Sequence, residues 1–278
     1  MILVTGASGK TGRAVVKALS KRGGAVRALV RREVEDLTAQ EFVVGDMRSQ
    51  ATMAQAMSGV EAVYHICPNM SADELQIGQI AISAARAAGV RQFVYHSVLH
   101  PQVRAMPHHW LKMQVEEQLF ESGVPYTILQ PTAYMQNILA SWSRIVAEGV
   151  YPVPYSEEAR LSLVALQDVA EAAAIVLTEP GHTGAIYELV GTYPLSQTDV
   201  AAQLSQHLGY VVRTARVPRD EWQKQAVEAG LGDYQVDTLL KMFRYYDQYG
   251  LEGNPNVLTW LLGRPPITFA EFIRQGSV

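Results

Sequence analysis

Short apolar runs alternate with amphipathic helical patterns through the first 130 residues of the chain. The runs suit buried strands, because they are brief and rich in Val, Ile, Leu, Tyr and Phe. The predicted strands cover residues 2–5, 25–30, 41–44, 61–66, 91–97 and 125–130. Apolar residues spaced three and four apart predict helices that end at glycines, within residues 10–24, 73–89 and 106–123.

Strand and helix alternate so regularly that right-handed crossovers and a parallel sheet are expected. The predicted fold class is α/β: a doubly wound parallel sheet of the Rossmann type with a smaller C-terminal α/β substrate lobe. We expect the Rossmann domain over residues 1–152 and the lobe over residues 153–278. A strand and helix at about 160–178 are candidates to return to the first sheet, and Ser196 is the predicted N-cap of a later helix.

Composition narrows the class of protein. Hydrophobic residues make up 48% and charged residues 18%, as in ordinary globular proteins, and the formal net charge of −4 gives no basic surplus for nucleic-acid binding. A single cysteine, Cys67, has no internal disulfide partner. No apolar run approaches the roughly 20 residues of a membrane span, and "MILVTG" turns too early for a secretion signal. We therefore expect a cytoplasmic protein without nucleic-acid or membrane partners.

The stretch "TGASGKTG" at residues 5–12 contains "GKT", which resembles the end of a P-loop. A P-loop needs a further glycine five positions before its second glycine, and Val4 stands there. Three glycines that follow a strand and open a helix instead suit a dinucleotide pyrophosphate, unless they serve only a turn. The predicted cofactor-binding residues of this loop are Gly6, Ser8, Gly9, Lys10, Thr11 and Gly12.

The second predicted strand ends "ALVRRE" and indicates which dinucleotide binds. An NAD site places a carboxylate there, whereas Arg31 and Arg32 suit the 2′-phosphate of NADP(H). The alternative is that the arginines are ordinary surface charges, and Glu33 beside them weakens the NADP(H) interpretation. Asp46 and Met47, in "VVGDM" after the third strand, are further cofactor candidates, although Asp46 could instead be the N-cap of the next helix.

Several longer stretches carry a family likeness. They are "VRALVRR", "VVGDMRS", "AAGVRQFVYHSV", "LKMQVEEQLFESGVPYTILQPTAYMQN" and "LLGRPPITFAEF". Together with the glycine loop they resemble the NmrA-like branch of the atypical short-chain dehydrogenases/reductases, over residues 2–272. The resemblance implies a Rossmann domain, bound NADP(H) and a small substrate lobe. It also implies either reduction of quinones or other small electron-poor molecules, or redox sensing without turnover.

The wider superfamily reduces carbonyls with a serine, a tyrosine and a lysine four residues after the tyrosine. The resemblance places Ser97 and Lys112 at the serine and lysine positions and implies that Lys112 holds the nicotinamide ribose, as the superfamily lysine does. The alternatives are that Lys112 is a solvated helix charge and that Ser97 only caps the following loop. His108 stands where the tyrosine is expected. His108 and Lys112 share a helix face, so the Lys112 charge would lower the histidine pKa. His108 is a candidate proton donor or a pocket wall, with His109 and His100 as competitors.

Other candidate residues follow the predicted strands, where sheets of this class bind ligands. Cys67 and Pro68 follow the fourth strand, as candidate cofactor contacts, and Cys67 is expected to be a packed residue and not a nucleophile. Pro131 is a candidate cofactor contact after the sixth strand, and Tyr134 and Asn137 are candidate substrate contacts. The histidines have no metal-binding spacing, so no metal site is expected.

Two functions are consistent with these residues. The first is an NADPH-dependent oxidoreductase that reduces a quinone-like small molecule, which the arginine pair and Lys112 favour. The second is an NADP(H)-sensing regulatory protein, which the missing tyrosine favours. A sugar-nucleotide epimerase is a third, less favoured interpretation. A homodimer or a regulatory protein partner is compatible with either of the first two functions.

Overall fold

A computed structural model describes residues 1–276 and contains a seven-stranded parallel sheet. The strands of this sheet are β1 (Ile2–Val4), β2 (Val26–Val30), β3 (Glu41–Val44), β4 (Ala62–His65), β5 (Gln92–His96), β6 (Tyr126–Pro131) and β10 (Ile186–Leu189). Their order in the sheet is β10-β6-β5-β4-β1-β2-β3. The sheet therefore extends from β1 towards both edges, as a doubly wound sheet does. The predicted fold class and the six predicted strands are confirmed.

Shorter strands and the helices complete the described chain. Two small two-stranded sheets contain β7 (Ala133–Tyr134), β8 (Val150–Val153), β9 (Leu163–Val164) and β11 (Arg213–Arg216). The helices are α1 (Lys10–Lys21), α2 (Gln50–Met57), α3 (Glu74–Ala88), α4 (Pro107–Glu121), α5 (Trp142–Glu148), α6 (Leu166–Thr178), α7 (Gln197–Leu208), α8 (Arg219–Glu228), α9 (Asp233–Tyr249), α10 (Asn256–Leu262) and α11 (Phe269–Arg274), with a 3-10 helix at Met135–Ser141. Within residues 1–276, none of the helices combines the length and apolar character that a membrane span requires.

Local sequence sets where several helices begin and end. The Ser196 side chain accepts from the Asp199 N–H, and the Asp199 carboxylate accepts from the Ser196 N–H, which makes the reciprocal cap that starts α7. Helix α3 ends at Gly89, whose positive φ of 65° is a backbone conformation that glycine adopts without strain. Both boundaries agree with the sequence pattern.

The chain divides into two compact units. The first contains Met1–Arg104, His108–Gln130 and Val169–Tyr187, and the second contains Ala105–Pro107, Pro131–Asp168 and the chain from Glu188 onward. In the first unit, α2, α3 and α4 pack on the sheet through an apolar core that includes Leu3, Met53, Ile77, Phe93 and Val115. In the second unit, a separate core joins α7 and α11 through residues that include Val200, Leu204, Phe269 and Phe272. The boundary expected after residue 152 stays a prediction.

A buried carboxylate ties the C-terminal segment into the second unit. Asp168 is fully buried, and its two oxygens accept from the Arg264 guanidinium and from the Ile267 N–H, each at 2.7 Å. Both donors come from the "GRPPI" stretch, close to 100 residues further along the chain. The motif therefore has a structural role, because a buried charge must have partners to be tolerated.

Asp168→Asn is expected to lower the free energy of unfolding of the second unit by about 2–3 kcal/mol, because it removes the buried negative charge that accepts from the Arg264 guanidinium. Arg264 is partly exposed, so water limits the loss. Urea unfolding followed by circular dichroism measures the change. Glu148→Gln is the matched control, since the Arg144–Glu148 pair is exposed at both ends and should contribute at most about 0.5 kcal/mol. Equal losses in the two variants would contradict the structural role of Asp168.

Candidate active site

The loop between β1 and α1 needs its glycines for two separate reasons. Gly6 has a φ of 57°, in the left-handed region, and a side chain there would crowd the Ile66 carbonyl at 3.0 Å. A Cβ on Gly12 would overlap the Gly6 carbonyl oxygen and lie 2.7 Å from the Ala7 Cα. The start of α1 therefore packs directly on the turn, as a dinucleotide-binding loop requires.

The N-terminus of helix α1 has the features of an anion-binding site. Gly9 is the N-cap residue and provides no side-chain cap, and the first turn carries no acidic residue. Ser8 and Lys10 are exposed beside it, and Thr11 is buried. The residues present fit a pyrophosphate, because helix N-terminal N–H groups attract negative charge and no carboxylate competes for them here.

The two arginines after β2 are both exposed. Across residues 1–276, neither the Arg31 nor the Arg32 side chain forms a hydrogen bond or an ion pair, although Glu33 is the next residue. The first unit does pair other exposed arginines, such as Arg13 with Asp36 at 2.9 Å. An unpaired pair of guanidiniums at this strand end is suited to a phosphate, which they can bind through parallel N–H donors.

Asp46 and Met47 follow β3 in different environments. The Asp46 carboxylate is half-exposed, accepts from the Arg48 N–H at 2.9 Å and pairs with the Arg48 guanidinium at 3.4 Å. The alternative that Asp46 caps the next helix is wrong, because the α2 N-cap is Ser49, whose side chain accepts from the Thr52 N–H. Met47 is buried in the first core.

Cys67 and Pro68 lie just beyond β4, as their position in the sequence indicates. Cys67 is buried in the core that also holds Met47, and burial raises the pKa of its thiol well above the ordinary value. A protonated, enclosed thiol is a packing residue and a poor nucleophile. Pro68 is partly exposed.

Lys112 lies on α4 in a buried polar cluster that sequence reasoning missed. Its ammonium donates to the Glu74 carboxylate at 2.9 Å and to the His96 carbonyl at 3.1 Å. The Tyr95 hydroxyl donates to the same Glu74 oxygen at 2.8 Å. The Lys112 side chain is 14% exposed and that of Glu74 only 4%. The only sign of this cluster in the sequence was that Glu74 is an acidic residue at the start of a helix, and such a residue normally indicates a helix end exposed to water.

Ser97, one residue beyond β5, donates its hydroxyl to the Glu116 carboxylate. The Gln130 amide donates to both Glu116 oxygens, at 2.9 and 3.1 Å. Burial raises the pKa of Glu116, while the hydrogen bonds from Ser97 and Gln130 work in the opposite direction. The Ser97 proton is thus directed at a protein carboxylate. Glu116 and Gln130 are also residues that sequence reasoning did not find.

His108 and His109 occupy the first turn of α4. Burial, together with His109 and the Lys112 charge, lowers the pKa of His108 to about 2, so its imidazole is neutral at pH 7. The His108 Nδ1 is buried and has no hydrogen-bond partner in the described chain. His109 is anchored instead, through its Nδ1 and the His100 carbonyl at 3.1 Å. A neutral imidazole is a poor proton donor, so His108 is better suited to line a pocket than to protonate a substrate.

The remaining candidates belong to the second unit. Pro131 is buried at the end of β6, Tyr134 is half-buried in β7, and Asn137 is exposed on the 3-10 helix. Their roles as cofactor or substrate contacts stay predictions. No three His, Cys, Asp or Glu side chains within residues 1–276 are close enough together to hold a metal ion.

The parallel sheet, the glycine loop and the arginine pair define a dinucleotide-binding α/β protein. Residues 1–272 match the NmrA-like family, and the chain belongs to that family. An NAD(P)H azoreductase from Xenophilus azovorans is 31% identical over 280 residues, which cover 99% of this chain and 97% of the relative. Quinone oxidoreductase 2 of Escherichia coli is 30% identical over 279 residues, covering 98% and 97%.

Solved structures show the same architecture. The NADPH-dependent quinone oxidoreductase of Escherichia coli, solved in complex with NADPH, superposes with a TM-score of 0.88 at 28% identity and covers all of both chains. A triphenylmethane reductase from Citrobacter sp., solved with NADP(H), superposes with a TM-score of 0.85 at 24% identity and covers 99% of each chain. At that identity the second likeness shows the fold alone.

Proposed function

We propose that this protein is an NADPH-dependent oxidoreductase that reduces a quinone or a similar small electron-poor acceptor. The observation that carries the proposal is the cofactor cradle. It consists of a helix start without a side-chain cap, on a glycine turn, and of two exposed arginines whose side chains have no partner within residues 1–276. Full-length relatives named as an NAD(P)H azoreductase and a quinone oxidoreductase support the reaction class.

Each part of the cradle has a separate task. The N–H groups at the start of α1 bind the pyrophosphate, and Arg31 and Arg32 bind the 2′-phosphate. Lys112 binds the hydroxyls of the nicotinamide ribose, as the lysine of the wider superfamily does. NADPH, when bound, supplies the hydride, and one proton from solution completes the conversion of a quinone to a hydroquinone. Gly6 permits the tight turn and Gly12 lets the start of α1 pack directly on it, which sets the position of the helix N–H groups.

The proton chemistry favours acceptors that need little acid help. His108 is neutral at pH 7, and the Ser97 proton is directed at Glu116. Reduction of an isolated ketone requires a group that protonates the developing alkoxide, and the neutral imidazoles of His108 and His109 are poor donors for that step. A quinone delocalises the negative charge that it gains, so the reaction can proceed with weaker stabilisation.

Mixing the purified protein with NADPH and a panel of benzoquinones and naphthoquinones tests the reaction through absorbance at 340 nm. We expect oxidation of NADPH well above the protein-free rate and little oxidation of NADH. Tight NADPH binding without turnover across the panel would exclude the reductase and favour the alternative, an NADP(H)-sensing protein. The observation that favours the alternative is His108 in the place of the superfamily tyrosine.

Arg31→Asp is expected to weaken NADP⁺ binding by about 10- to 100-fold, because one charge-assisted hydrogen bond to the 2′-phosphate is replaced by repulsion. The affinity for NAD⁺, which has no such phosphate, should change much less. Isothermal titration with both nucleotides measures the difference. Lys17→Asp makes the same change of charge at an exposed position on α1. It controls for the effect of the protein's net charge on nucleotide binding. Equal losses for NADP⁺ and NAD⁺ would remove Arg31 from the phosphate site.

The cytoplasmic location and the homodimer or regulatory partner remain predictions from the sequence.

A further inference from the structure

Glu74 is a buried carboxylate to which the proposed cofactor contacts give no task. It is the first residue of α3 and is 3% exposed, in a position of the helix that water normally reaches. Glutamates are almost never buried so completely unless a partner compensates for the lost hydration. The compensation here comes from the Lys112 ammonium at 2.9 Å and the Tyr95 hydroxyl at 2.8 Å, both on one carboxylate oxygen.

These contacts restrict Lys112 strongly. An ammonium has three N–H donors, and two of them are directed at the Glu74 carboxylate and the His96 carbonyl. A lysine side chain otherwise samples many rotamers, and its ordering has an entropic cost of up to about 2 kcal/mol. Glu74 and the His96 carbonyl therefore hold the Lys112 nitrogen in one place and leave one donor for a ligand.

The fixed position of Glu74 is itself supported from a third element. Tyr95 lies in β5, an interior strand of the sheet, and is fully buried, so its hydroxyl is a rigid donor. Glu74 is on α3 and Lys112 is on α4, which makes the cluster a bridge between two helices and the sheet of the first unit. Such outer contacts fix the orientation of a functional side chain in the way that a second layer of hydrogen bonds orients metal ligands.

We propose that Glu74 is the positioning residue of Lys112: the Tyr95-anchored carboxylate holds the ammonium so that its remaining N–H meets the nicotinamide-ribose hydroxyls. This inference rests on the proposed function, because it assigns Lys112 to the cofactor. A positioning role makes a requirement that a purely structural ion pair does not. Loss of the Glu74 charge must weaken cofactor binding and turnover when Lys112 is present, and must have no further effect when Lys112 has been removed.

A double-mutant cycle of Glu74→Gln, Lys112→Met and the two together tests the proposal, with isothermal titration of NADP⁺ as the first readout. We expect Glu74→Gln and Lys112→Met each to weaken NADP⁺ binding by roughly 10-fold, since misplacement of a contact by about 1 Å has effects of that order or larger. The double variant should be no weaker than Lys112→Met alone. Additive losses, or NADP⁺ binding by Glu74→Gln that is unchanged or tighter, would overturn the proposal.

Two controls separate positioning from folding. Glu117→Gln removes an exposed carboxylate from the same helix as Lys112 and should leave the affinity unchanged. If Glu74→Gln does not fold, the double variant carries the test, because neutralising both members of a buried pair is far less destabilising than leaving one charge alone. It must then show the NADP⁺ affinity of Lys112→Met, and any lower affinity contradicts the proposal. NADP⁺ binding requires no acceptor, so failure of quinone reduction leaves this experiment unaffected.

Discussion

Acidification from pH 7 to pH 5 is expected to unfold or nearly unfold the first unit, because four of its histidines are buried in the neutral form. Burial lowers the pKa of His65 and His109 to about 4, of His96 to about 3 and of His108 to about 2, and the Lys112 charge adds to each shift. The unfolded chain binds these protons near pH 6.5, so the protons favour unfolding at every pH between the two values.

The sign and the size of the expected loss of folding stability follow from proton linkage. Each histidine gives a slope of about 1.4 kcal/mol per pH unit below pH 6.5, or roughly 2 kcal/mol down to pH 5. The combined loss approaches the whole stability of an ordinary domain, which is about 5–15 kcal/mol. Glu116 acts in the opposite direction, since its raised pKa makes the folded state bind a proton first. The effect of Glu116 on stability is the smaller one, because one carboxyl group opposes four histidines.

Denaturant unfolding at a series of pH values checks the slope. His109→Asn should reduce it by about 1.4 kcal/mol per pH unit, while an asparagine amide can still donate to the His100 carbonyl. His207→Gln, at an exposed position in the second unit, is the control and should leave the slope as it is. A wild-type slope in His109→Asn would show that this imidazole is not held neutral.

Gly12→Ala is expected to abolish tight NADPH binding, with a loss of about 100-fold or more. The new methyl group would overlap the Gly6 carbonyl oxygen and approach the Ala7 Cα to 2.7 Å. Both neighbours are backbone, so they cannot rotate away as a side chain can, and the turn must move away from α1. A displacement of about 1 Å is enough to separate the helix N–H groups from the pyrophosphate.

Two further glycines calibrate this effect. A Cβ on Gly9 would meet only the Gly6 carbonyl oxygen at 3.3 Å, so Gly9→Ala should displace the turn less than Gly12→Ala does, and any loss of NADPH affinity reports contact of the new methyl group with the cofactor. Gly232 has an ordinary φ of −73° and no atom within 4 Å of the added methyl, so Gly232→Ala should leave affinity unchanged. Fluorescence titration of NADPH ranks the three. If Gly12→Ala binds as tightly as Gly232→Ala, the loop does not cradle the cofactor.

The candidate site shows where sequence reasoning succeeds and where it stops. The neighbourhood of His108 and Lys112 on one helix face was evident from their spacing, and so was the direction of the His108 pKa shift. The larger cause of that shift is burial, which spacing does not reveal. Ser97 was placed correctly at a strand end, but its hydrogen bond to Glu116 joins the residue after β5 to α4, which no local pattern connects.

The sequence by itself determined the local and periodic features: the parallel α/β fold, the strand positions, the glycine turn, the arginines after β2 and the membership of the NmrA-like family. These depend on residue spacing, on glycine stereochemistry and on runs of buried residues, all of which a linear chain displays. Only the tertiary structure decided that Glu74 accompanies Lys112, from 38 positions away, and that burial holds four histidines of the first unit in the neutral form. Burial and ion pairing depend on which segments of the chain meet. In a doubly wound sheet, crossovers bring together strands and helices that are far apart in the sequence, and the spacing of apolar residues does not show which side chains then come into contact.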